Sequence, residues 1–335
     1  MKSESSAEPL FVVGMWRSGT SLLYALLNQH PQISLMYEGE LPLLWPLFMG
    51  GKGKSDWARR WNFWNGAVTR HQMDTKLKSE PVNFPSAIEL AYRGYAGDKA
   101  IWGCKSPNYY DSMTRLAELF PRARFIVIWR NPLDICRSIA RAGEGPSWFK
   151  KRGMLLRGLL GYERMKVEFD RLQKMNVRIH ELQYEELVRE PGNTMQGVCN
   201  FLEIVFDPKM VSLRDADRSA IYEGEHHQMV NSERIVSNRK REEVLTPEFR
   251  QKVARYVGYW HSKYKGSWPH GLQQLDGEQV GGWEHAIDDF RYRVMRLFDR
   301  SKVIAFCYFP LPLLRGYRFL KYRNVLPQAY TIARS

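Results

Sequence analysis

Hydrophobic residues along this chain fall into short dense runs, each stopped by a glycine, a proline or a charge. The first is Leu10-Phe11-Val12-Val13, too short for a helix and without the polar alternation of a half-exposed strand. Such a run fits a strand buried on both faces of a parallel sheet. Similar runs recur at Gln32 to Tyr37, Ala100 to Lys105, Ala123 to Trp129 and Val177 to Leu182, with Phe125-Ile126-Val127-Ile128 the strongest. Between them the apolar spacing becomes helical. Leu22, Leu23, Leu26 and Leu27 mark a helix closed by Pro31. Further helices are expected over Tyr110 to Phe120, through Cys136 and Ile139, across 141–176, over Thr194 to Leu202, and from Thr246 through Trp260. In the last, Thr246 suits the cap, Pro247 the first helical position and Glu248 the first turn. Alternating strands and helices predict an α/β fold: a central parallel sheet of about five strands with helices on both faces.

The first strand meets its helix through Gly14-x-x-x-x-Gly19-Thr20-Ser21. A strand feeding a helix through a glycine-bounded loop aims backbone N–H groups and the helix dipole at one spot, which suits an anion. The spacing nearly matches a nucleotide-triphosphate P-loop and makes the fold P-loop-like, in three layers. The loop departs where a kinase needs its lysine: Thr20 stands there, and Arg17 is the only cation. The fourth strand ends in Arg130, where a P-loop kinase delivers an aspartate for magnesium. An arginine there suits bidentate phosphate contact. Lys105 ends the third strand, at the sheet edge where α/β folds bind ligands. Glu38 and Glu40 follow the second strand and could set a base beside the loop. The plain alternatives are a bare turn, a surface lysine and a solvated acidic bend. A metal-independent nucleotide-binding or kinase-like P-loop protein is the rival function, and a non-catalytic basic binding protein the other.

Residues 41–99 are loop-rich and aromatic. Trp57, Trp61 and Trp64 have helical spacing and read as a stripe packed on the core; the segment is the candidate cover for an acceptor pocket. Lys150, Lys151, Arg152 and Arg157 read as a solvated basic face rather than a nucleic-acid site. His226 and His227 are adjacent and lack a third ligand at metal spacing, so no metal is assigned. From Lys265 a polar, glycine-rich linker leads to a basic helix with Arg291, Arg293, Arg296 and Arg300, then to VIAFCYFPLPLL at Val303 to Leu314. This tail reads as an extension, 266–335, docked on the core (1–265) or a second subunit as in a homodimer; a peripheral membrane contact is the alternative.

Composition narrows the picture further. Fifty Lys and Arg against 36 Asp and Glu leave a formal charge of +14, which favours anionic partners. The four cysteines are widely spaced, which argues against a disulfide framework or zinc site and fits a reducing compartment. The polar start MKSESSAEP and the lack of a long apolar run point to a cytoplasmic protein.

Arg17-Ser18-Gly19-Thr20-Ser21 resembles the 5′-phosphosulfate loop of sulfotransferases that use 3′-phosphoadenosine-5′-phosphosulfate (PAPS). The pattern is most similar to the branch holding tyrosylprotein sulfotransferases and many bacterial members, from about Phe11 to about Trp260. The resemblance implies roles for matching positions. Arg17, Ser18, Gly19, Thr20 and Ser21 would hold the phosphosulfate; Arg130 and Ser138, eight residues later, the 3′-phosphate. Lys105-Ser106-Pro107 matches the family's K-[STD]-P, and Glu38, 21 positions after Arg17, its catalytic glutamate, with Glu40 the alternate. Tyr184, in Tyr-Glu-x-Leu-x-x-x-Pro, would lie near the adenine. Arg241 is a phosphate candidate in a late basic segment that matches poorly. The implied activity is metal-free sulfuryl transfer from PAPS to a hydroxyl or amine. The acceptor is left open among small molecules, glycans, lipid-linked glycans and peptide tyrosine; nucleic acid is not expected.

Overall fold

A computed structural model describes residues 7–44, 84–144, 148–151, 153–219, 221, 235, 244–264, 279–310 and 312–313. The expectations placed on Trp57, Trp61, Trp64, Arg152, His226, His227 and Arg241 lie outside the described residues.

Five parallel strands form one sheet: β1 (Leu10–Gly14), β2 (Ile33–Tyr37), β3 (Ile101–Lys105), β4 (Arg124–Trp129) and β5 (Arg178–Gln183). Their spatial order is β2-β3-β1-β4-β5, with β1 at the centre. Register aligns the carboxyl ends: Tyr37 lies opposite Lys105, Gly14 opposite Ile128 and Trp129 opposite Gln183. The loop after β1, Glu38, Lys105 and Arg130 therefore share one edge of the sheet.

Successive side chains of a strand point to opposite faces, so the continuous apolar runs fill two cores. Leu10 and Val12 of β1 pack with α1 (Thr20–Leu27) and α7 (Pro191–Leu202) on one face. Phe11 and Val13 pack on the other with α2 (Phe84–Ala96), α3 (Met113–Leu119), α4 (Pro132–Glu144), α5 (Met154–Leu172) and α8 (Pro247–Tyr264). A short α6 (Tyr184–Arg189) follows β5, and a long α9 (Gly282–Tyr308) lies against α5. The result is the expected three-layer α/β architecture.

Three local expectations change. The helix expected from Tyr110 splits into a 3-10 turn, Pro107–Asp111, and α3. Tyr109 and Tyr110 are both fully buried, and the Ser106 hydroxyl, accepting from the Asn108 N–H, holds the tight turn that seats them. The helix expected from Thr194 starts at Pro191, where the missing N–H of proline is no loss. Arg157 is not on a solvated face: it pairs with Asp299 of α9 and covers the Trp16 ring at 5.2 Å. The cap expected at Thr246 is present, its hydroxyl accepting from the Phe249 N–H at 3.2 Å.

Candidate active site

The loop after β1 closes on itself through a Ser18 N–H to Met15 carbonyl bond of 3.0 Å. Glycine is required at both ends. A Cβ at Gly14 would meet the Ser18 Oγ at 2.4 Å. Gly19 has φ 101°, and a Cβ there would meet the Tyr184 ring at 2.4 Å. Gly19 caps α1, which presents its N-terminal amides just beyond the turn. Ser18 is fully buried, and its hydroxyl has no hydrogen-bond partner among the described residues.

Two guanidinium groups converge on this turn. Arg17 Nε donates to the Ser138 Oγ of α4 at 2.9 Å, and Arg130 Nη1 donates to the Arg17 carbonyl at 2.7 Å. Arg130 also lies over the Tyr184 ring, 4.2 Å from its centroid. It is buried, its Nε has no hydrogen-bond partner, and no ion pair forms to it among the described residues. A buried cation without a carboxylate is costly unless an anion completes it.

On the other side of β1, Lys105 and Glu38 form the second half of the site. The Glu38 N–H donates to the Lys105 carbonyl at 2.7 Å, extending the β2–β3 pairing by one bond. Lys105 Nζ is completely buried, 2.9 Å from Glu38 Oε1 and 3.3 Å from Ser21 Oγ. It also lies 3.7 Å from the Tyr37 ring centroid, and the Tyr37 hydroxyl meets Ser21 Oγ at 2.8 Å. Burial works against the ammonium, but the Glu38 carboxylate and the Tyr37 hydroxyl oxygen prevail and leave its pKa raised. Lys105 is thus a fixed cation tied to the first turn of α1.

Glu40 has a different setting. Its Oε1 accepts from Ser106 Oγ at 2.7 Å and from Asn108 Nδ2 at 2.6 Å, and Asn108 in turn accepts from Trp16 Nε1 at 2.9 Å. Burial, and next the Glu38 charge, push the Glu40 carboxyl up to about 7. Arg17, Glu38 and Glu40 all hold left-handed backbone, with φ 67°, 50° and 44°. For non-glycine residues this conformation costs on the order of 1–3 kcal/mol each and gathers at functional sites.

The structure thus places Arg17, Ser18, Gly19, Thr20, Ser21, Glu38, Lys105, Arg130, Ser138 and Tyr184 around one edge of the sheet. Sequence reasoning missed Trp16, Tyr37 and Asn108, and passed over Ser106 inside its own motif. The Ser-Pro step at Ser106 was the available signal, since serine before a proline at a first helical position is a capping pattern. Among the described residues no group of three or more His, Cys, Asp or Glu is placed to hold a metal, and no helix is long and apolar enough to cross a membrane.

A parallel sheet with a glycine-bounded loop at its centre, two converging arginines and a lysine–glutamate pair defines a P-loop-like α/β protein whose cationic sheet edge suits an anion. Comparison with known proteins gives the family. The sulfotransferase family model matches residues 9–208, and the chain belongs to that family. Protein-tyrosine sulfotransferase A of Caenorhabditis elegans is 24% identical over 257 residues, covering 74% of this chain and 61% of that protein. Protein-tyrosine sulfotransferase 1 of Danio rerio is 27% identical over 205 residues, covering 58% of this chain and 53% of that protein. The chain therefore spans just over half the length of these two relatives. The sulfotransferase domain of the Synechococcus PCC 7002 olefin synthase shares the fold, with a TM-score of 0.51 at 16% identity over 89% of this chain and 97% of that one.

Proposed function

We propose that the chain transfers a sulfuryl group from PAPS to a hydroxyl or amine of an acceptor. The observation that carries this reading is the arrangement around the loop: Arg17 and Arg130 on one side, the Lys105–Glu38 pair on the other, all at one sheet edge.

The residues present fit a doubly phosphorylated adenosine. The unpartnered Ser18 hydroxyl and Arg130 Nε supply donors already desolvated and unsatisfied. The α1 amides, Ser18, Thr20 and Arg17 would hold the 5′ end, Arg130 and Ser138 the 3′-phosphate, and Tyr184 would border the adenine. PAPS supplies the electrophilic sulfur. Glu38 takes the acceptor proton as the oxygen or nitrogen attacks. Lys105, kept charged by Glu38, stabilises negative charge gathering on the leaving phosphate, and Arg17 does the same from the loop. Once Glu38 is protonated it no longer neutralises Lys105, so the lysine's field turns toward the leaving group as that charge develops.

A small-molecule kinase would place a loop lysine at Thr20 and a carboxylate at Arg130; threonine lacks the charge, and arginine carries the opposite one. The acceptor is a small molecule, a glycan or a protein side chain. The named relatives act on protein tyrosine, which makes a tyrosine-bearing peptide a first substrate to assay.

Adenosine 3′,5′-bisphosphate tests the reading without turnover. At 100 times its dissociation constant it should stabilise the protein by about 2.7 kcal/mol. ATP with magnesium should do less. Equal shifts, or a larger one with ATP, would reverse the assignment.

A further inference from the structure

Helix α9 is built the wrong way round for a soluble helix. An amphipathic helix ordinarily buries its apolar stripe. Here the polar stripe is docked. Glu284 accepts from Arg255 at 3.0 Å, His285 meets Glu163 at 2.9 Å, Asp288 accepts from the Tyr256 hydroxyl at 3.0 Å and Tyr292 meets the Tyr110 hydroxyl at 2.8 Å. Arg296 pairs with Asp111, Asp289 with Arg164 and Asp299 with Arg157.

The apolar stripe faces away. At about 100° per residue, Trp283, Ile287, Phe290, Val294, Leu297 and Phe298 fill an arc of roughly 100°. Trp283 is 84% exposed, Phe290 68% and Leu297 67%. The arc is edged by cations: Arg291 on one side, Arg293 and Arg300 on the other. Each touches a docked carboxylate, yet about two-thirds of each side chain stays exposed. The seam does not neutralise them. Among the described residues, nine cations across it (Arg157, Arg164, Lys252, Arg255, Lys263, Arg291, Arg293, Arg296, Arg300) share six carboxylates (Asp111, Glu163, Glu284, Asp288, Asp289, Asp299). The chain then continues with the apolar Val303 to Leu314, of which Phe309 and Leu313 are exposed, and with Arg315, Arg318, Lys321 and Arg323.

We propose that the outward face of α9 docks this protein on an anionic lipid surface. Apolar side chains bordered on both edges by arginine match the two layers of such a surface, acyl chains and anionic headgroups. A second copy of the chain fits less well. Pairing α9 with itself would cover the apolar arc but set arginine edges against arginine edges, because the carboxylates of the helix are turned to the seam. The docked side reaches Tyr110 and Asp111, in the turn that follows Lys105, so lipid contact through α9 holds the sheet's carboxyl edge near the bilayer.

Vesicle sedimentation with the full chain tests this. The vesicles are phosphatidylcholine alone and phosphatidylcholine with phosphatidylglycerol in equal parts. The chain should pellet with the mixed vesicles at low salt and stay in solution with phosphatidylcholine alone. A Phe290→Asp/Leu297→Asp variant should stay in solution with both, with its melting temperature and bisphosphate binding unchanged. Arg291→Gln, Arg293→Gln and Arg300→Gln should each weaken binding about fivefold, an independent reading because the apolar face is kept. No pelleting with mixed vesicles, or pelleting that the aspartate variant does not reduce, overturns the proposal. So does a solution dimer that the aspartate variant dissociates, which would give the face to a second copy.

Discussion

Glu40 offers the sharpest physical test of the site. Burial, and then the neighbouring Glu38 charge, move its carboxyl from the ordinary 4.5 to about 7. That preference for the protonated form is worth about 3 kcal/mol. Below pH 4.5 the folded and unfolded chains are both protonated there, and the group contributes nothing. As pH rises the unfolded chain ionises first, so stability is lost progressively up to about pH 7 and the loss is complete above it. Glu40→Gln removes the titration and keeps an oxygen to accept from Ser106 and Asn108. For 335 residues the unfolding entropy is roughly 0.7 kcal/mol/K, so 3 kcal/mol corresponds to about 4 °C. Calorimetry at a series of pH values should show the variant's advantage absent at the acid end and growing to about 4 °C by neutral pH. Ser106→Ala, which removes a hydrogen bond favouring the carboxylate, should move the change to higher pH. Melting curves of Glu40→Gln and the parent that run parallel from acid to neutral pH would refute the account of this site's electrostatics.

Two further expectations follow from the same geometry. Glu38→Gln should lower turnover by about 10²–10⁴-fold, the usual worth of a general base, while bisphosphate binding is retained. Steady-state kinetics beside a thermal shift would separate the two, and full activity would move the base to Glu40. Gly19→Ala should destabilise the fold by about 2–4 kcal/mol, from left-handed strain and the clash with Tyr184. Denaturant melts should show part of this recovered in Gly19→Ala/Tyr184→Ala, and no recovery would remove the clash from the explanation.

The sequence carried the sheet well because β1, β3 and β4 are buried along their whole length and β2 is broken only by the half-buried Ser34. β5, at the edge, was found from a weaker pattern, and its residues are largely part-exposed. Lys105 and Arg130 were legible for a simple reason. A charge that ends an apolar strand can only lie at the sheet's edge, and parallel pairing puts all the carboxyl edges together. What joins them was not legible. The Arg17–Ser138 bond spans 121 positions, and the Glu40–Asn108 bond depends on a 3-10 turn where the apolar spacing suggested a continuous helix. The left-handed backbone of Arg17, Glu38 and Glu40 leaves no trace in residue type, since arginine and glutamate are not residues that favour it.

Helix α9 shows a different limit. Periodicity reports which side of a helix is apolar and is silent on which side is covered. The inference from apolar stripe to core assumes that water is the only other environment. In α9 the assumption fails because the seam supplies enough paired charge and hydrogen bonds to hold the polar side: the buried Asp288, for instance, is met by both Lys252 and the Tyr256 hydroxyl. Breaking one such buried partner costs more than an exposed ion pair, by about 3–5 kcal/mol against less than 1. The helix is therefore oriented by its charges, and its apolar face is left over for a partner whose chemistry the bordering arginines specify.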